Sequence, residues 1–121
     1  MEFSFKNLPS YLNAKKFIEL SFSYTKKDEF RINPELKEKI EKTALSLVSD
    51  IAKITATEPD EKTKNLINTP IQSINELSAL YSVALDRKLI QSEDVGKLEE
   101  QLQKILGCLL KLKEVLEKQK N

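Results

Sequence analysis

The chain of 121 residues is long enough for one compact domain and too short for two ordinary ones. Twenty Lys/Arg against nineteen Asp/Glu leave a formal charge of +1, and 40% apolar with 32% charged residues place it outside the composition of disordered chains. Two glycines and four prolines are too few turn residues for most all-β designs, while the lack of histidine and a single cysteine exclude a His-based triad, a Cys/His zinc site and an intrachain disulfide.

In chain order, residues 1–7 hold no continuous apolar run of the secretory type. The longest apolar stretch, Ile105 to Leu110, is far too short to span a bilayer, so a cytoplasmic location without membrane association is expected. A first helix is predicted over about 9–28. It is apolar on two sides, with Leu8, Tyr11, Leu12, Ile18 and Phe22 on one and Phe17, Leu20 and Tyr24 on the other. Asn33-Pro34 reads as an N-cap followed by proline at the first helical position, opening a second helix over 34–57. Leu36, Ile40, Leu47, Ile51 and Ile54 form its apolar face, flanked by Ala44, Leu45 and Val48.

A third helix is expected over 60–88, with Ile67, Ile74, Leu77, Tyr81, Ala84 and Leu85 inward. Pro70 conflicts with that span. Either one long helix kinks there, which is the expectation, or a new helix starts with Thr69 as cap, Pro70 first and Gln72 closing a capping box. The fourth helix, 92–118, opens with Ser92 as N-cap and two acids in its first turn. Val95, Leu98, Leu102, Ile105, Leu109, Leu112 and Leu116 recur at alternating spacings of three and four, a heptad seam. Leu106, Leu110 and Val115 add a second stripe, and the Lys-rich tail from Lys111 onward is expected to fray. Short, capped connections favour one domain over 1–121: an all-α, antiparallel up-down-up-down four-helix bundle. The double stripes predict self-association, with Phe17, Leu20, Tyr24, Leu106 and Leu110 at a subunit interface.

Little in the chain carries reaction chemistry. The acid pairs Asp28-Glu29, Asp60-Glu61 and Glu99-Glu100 fall on exposed faces or helix starts, and Asp50 and Glu76 read as flanking residues paired with Lys or Arg. Both glycines lie inside the fourth helix, so there is no phosphate loop. A two-metal carboxylate site of the ferritin kind needs histidines that are absent. Cys108 reads as a small core hydrophobe. No enzyme activity, cofactor or metal is expected. Basic residues are evenly spread; the local clusters are Lys15-Lys16 with Lys26-Lys27, Lys37-Lys39-Lys42, and Arg87-Lys88.

Phe5-Lys6-Asn7-Leu8, Tyr11 and Ala14, then Tyr24-Thr25, Ala44 to Ala52, and Leu66-Ile67-Asn68 with Ser73, Glu76-Leu77, Ala84 and Leu89-Ile90 carry a family pattern across nearly the whole chain. It resembles the four-helix bundle proteins encoded in intervening sequences of bacterial 23S ribosomal RNA. Their fold is shared with the accessory variability determinant of diversity-generating retroelements. Glu41-Lys42 stands where that family has a basic pair, and Asp50, Lys53 and Ile54 replace its Asn, Glu and Gly. The resemblance implies a homopentamer that binds RNA or DNA, or a partner reverse transcriptase. Two roles therefore compete: a non-enzymatic protein scaffold, which the balanced charge favours, and a nucleic-acid-binding accessory protein, for which Lys37, Lys39 and Lys42 are the candidate contacts.

Overall fold

A computed structural model of the chain describes residues 8–56 and 65–118. Among them it is all-α: helices α1 (Pro9–Thr25), α2 (Asp28–Arg31), α3 (Pro34–Ala56), α4 (Asn68–Asp86) and α5 (Ser92–Lys118), with no strand. α1 packs on α3 and most extensively on α5, α3 packs on α4, and α4 on α5, so the four long helices close a cycle around one core. Side-chain pairs give the directions. Asn13 meets Gln101 and Cys108 while Tyr24, further along α1, meets Asp94, earlier in α5. Likewise Asn33 meets Arg87 and Lys39 meets Glu76. Each of these two helix pairs runs in opposite senses.

The core follows the periodicity of three of the four helices. Ile40, Leu47 and Ile51 of α3, Leu77 and Tyr81 of α4, and Leu98, Leu102, Ile105 and Leu109 of α5 are fully buried. Leu45, expected at the flank of this core, is 53% exposed. The inward line of α1 differs from expectation. It runs through Ser10, Ala14, Phe17, Ser21 and Tyr24, again spaced four and three, and Leu12 is turned outward. Three small residues on that line let a neighbouring helix approach closely, which suits the extensive α1–α5 contact.

Helix ends depart from expectation in physically readable ways. α1 ends at Thr25 rather than near 28: Lys27 takes an extended backbone (ψ 155°), and the chain re-enters a single helical turn, α2, that buries Phe30 against the core. Four residues have no periodicity to read, so α2 was invisible in the sequence. Ser92 is not the N-cap of α5. Val95 N–H donates to Gln91 O, which makes Gln91 the cap and Ser92 the first helical residue. In the Lys-rich tail, α5 stays helical through Lys118, and Leu116 is buried in its last turns.

Around Pro70 the backbone stays helical but the helix is not counted as continuous. Residues 65–66 are helical, Ile67 keeps right-handed helical angles (φ −63°, ψ −30°), and α4 is counted afresh from Asn68. Pro70 has no N–H to offer the carbonyl of Leu66, so the hydrogen-bond ladder is interrupted while the backbone stays helical. No side chain caps this start, so Thr69 is not a cap. The expected stretch 60–64, like residue 57 of the second helix, lies outside the described residues.

α4 ends in a Schellman turn. Leu89 N–H donates to Ala84 O and Lys88 N–H to Leu85 O, both at 3.0 Å, with Leu89 buried behind them. The turn demands a left-handed residue, and Lys88 supplies it at φ 61° although its Cβ opposes that geometry. Lys88→Gly is therefore expected to raise stability by ~1 kcal/mol, read as a higher denaturation midpoint. At Gly107 an added Cβ meets nothing within 4 Å, so Gly107→Ala should stabilise α5 by about 0.5–1 kcal/mol in the same assay.

Candidate functional site

The candidate contacts Lys37, Lys39 and Lys42 leave α3 in different directions, because two- and three-residue steps rotate them around the helix. Lys37 is only 33% exposed and donates to both carboxylate oxygens of Glu41 at 3.0 Å. Glu41 in turn accepts from Thr25 Oγ1 of α1 at 2.8 Å. Lys39 points to the other neighbour and pairs with Glu76 of α4 at 3.1 Å. Lys42 closes on Glu38 of its own helix at 3.2 Å. The three ammonium groups thus form no single patch, and each already has a carboxylate. Asp50 and Glu76 are paired with lysines, as expected from the sequence.

The residues expected at a subunit interface divide. Phe17 is fully buried and Tyr24 is 8% exposed, so both belong to the interior of this chain and are unavailable to a second one. The spacing could not reveal this, because the inward line of α1 is marked mainly by serines and an alanine. Leu20 and Leu106 are half-buried against the core, and Leu110 is 49% exposed. Cys108, expected inside, is a half-buried free thiol whose neighbour is Asn13 Nδ2, 4.0 Å away.

Sequence reasoning missed the polar interior. Ser21, Thr25 and Tyr81 are buried, and no buried side-chain polar atom among the described residues lacks a partner. Tyr81 Oη donates toward Ser21 O at 3.3 Å, while the Ser21 and Tyr81 hydroxyls bond each other. This reaches across the core between α1 and α4, whose backbones are not in contact. Burial pushes the Tyr81 phenol well above its ordinary 10.0, with the Glu41 charge adding to the shift and the Ser21 bond opposing it. Burial and the hydrogen bond to Asp94 Oδ1 (2.9 Å) likewise raise Tyr24. A serine one helical turn from Phe17 and a lone tyrosine in an apolar stripe were the signals that could have suggested the pair.

At the end of the core where α1, α2 and the α4–α5 connection meet lies a cavity of about 200 Å³ walled by Tyr24, Leu89 and Ile90 and rimmed by charged side chains. Among the described residues, no three His, Cys, Asp or Glu side chains are placed to hold a metal ion, and no helix is long and apolar enough to cross a membrane. No family model and no curated protein matches the chain.

The Tyr81 environment sets an alkaline limit. The neutral phenol is favoured in the folded state, so its contribution is complete below 10.0 and is lost as pH rises toward the folded value. The melting temperature should fall above pH 10.0. Tyr81→Phe should cost about 1–2 kcal/mol near neutrality and flatten that alkaline decline, read by melting curves across the range.

Proposed function

We propose that the chain is an antiparallel up-down-up-down four-helix bundle that self-associates and acts as a protein scaffold, without catalysis and in the cytoplasm. The observation that carries this reading is the division of its surface. Lys37, Lys39 and Lys42 are committed to carboxylates, while Leu12, Leu45, Leu110 and Val115 stand between 45% and 53% exposed on the outer sides of three long helices. Uncommitted apolar side chains on a bundle whose core is already filled favour contact with protein rather than with phosphate. The resemblance to the ribosomal intervening-sequence family favours a ring of five.

Light scattering over micromolar concentrations should give a multiple of the 13.9 kDa chain mass, reduced by the double change Leu45→Glu and Leu110→Glu with helicity retained. A monomeric parent overturns the reading. The competing role, an accessory protein for RNA or for a reverse transcriptase, requires binding that falls with salt at a slope near −0.9 per neutralised phosphate of duplex DNA. Retention on heparin or RNA is expected to be negligible at ~0.1 M salt. Retention that is lost in a variant carrying Glu at positions 37, 39 and 42 would establish the accessory role instead.

A further inference from the structure

The cavity at the end of the core combines features that the scaffold role does not use. Its lining is mostly polar, and the apolar part of it is well buried, with Tyr24, Leu89 and Ile90 each under a tenth exposed. Lys27 and Lys88 line it from one side of the charge balance, and Glu29 and Asp94 from the other. Yet among the described residues none of these lysines closes on a carboxylate, although Lys37, Lys39, Lys42 and Lys104 all do so elsewhere. Lys27 Nζ stands over the Tyr24 ring at 5.2 Å, and Asp94 accepts the Tyr24 hydroxyl at 2.9 Å, so one aromatic side chain holds a cation on its face and an anion at its edge. Lys88 adds an independent oddity. It occupies a left-handed position that glycine fills at less cost, and in that position it lines this cavity.

We propose that this cavity binds a small zwitterion of amino-acid size. Its carboxylate would meet Lys27 and Lys88, its ammonium group Asp94 and Glu29, and its side chain the wall of Tyr24, Leu89 and Ile90. A simple anion would face two carboxylates and a simple cation two lysines; only a ligand with both charges uses the whole rim. At about 200 Å³ the space is smaller than the roughly 300–1,000 Å³ of drug-sized sites, which limits the occupant to a single residue's bulk.

The experiment is an amide NMR titration of the full chain with L-valine and with its two half-molecules, isobutylamine and isovalerate. Valine should move the signals of Leu89, Ile90 and Gln91 in the millimolar range, and each half-molecule should bind at least about tenfold more weakly. Lys88→Gly is the decisive variant, since it keeps the turn and is expected to melt higher than the parent. It should nevertheless weaken valine binding by about tenfold. Unmoved signals in the parent, equal binding of either half-molecule, or full affinity in Lys88→Gly would each overturn the proposal.

Discussion

A tyrosine hydroxyl in a sealed apolar core must find a partner, and that requirement governs how this molecule fits together. Tyr81 is fully buried on α4, and its hydroxyl is satisfied by Ser21 on α1, the helix diagonally opposite. Apolar contacts in the rest of the core are non-directional, whereas a buried hydroxyl pair fixes the register, because a slip leaves both groups unpaired. The Thr25–Glu41–Lys37 chain repeats the device nearer the surface, tying α1 to α3. Small residues on α1 follow from the same geometry: a serine that must face a tyrosine occupies a site where a large apolar residue would otherwise stand.

The same logic explains the uneven ends. Where α1 stops, the chain bends sharply enough to bury Phe30 from α2, and where α4 stops, a left-handed Lys88 turns Leu89 inward. Both closures bring charged side chains to the edge of a buried apolar wall. An end plugged by aromatic and aliphatic groups but rimmed with charges that form no ion pair differs chemically from the flanks of α3 and α5, where lysines and glutamates pair along the helix and contribute little to stability.

The all-helical class, the inward faces of α3, α4 and α5, and the start of α5 within one residue were legible in the sequence, because apolar spacing over three or more turns reports burial directly. The inward face of α1 was not. Its line of Ser10, Ala14 and Ser21 has low hydropathy, whereas Leu12, Phe22 and Leu20 stand out as apolar and lie outward or at the flanks. The dispersal of the candidate lysines was hidden for a related reason: nearness in sequence says nothing about which carboxylate will pair with each ammonium group.

Composition and periodicity, taken alone, determined that this chain is helical, holds no histidine, and builds its core on a heptad seam in α5. These are local properties, set by what each stretch of chain buries and by which residue types exist at all. The partner of each polar side chain, the geometry demanded of Lys88, the interruption at Ile67 and the cavity between α1, α2 and the α4–α5 connection were decided only in three dimensions. Each depends on groups distant in sequence meeting within a hydrogen bond's reach, and the energy of such a meeting has no counterpart in the pattern of any single helix.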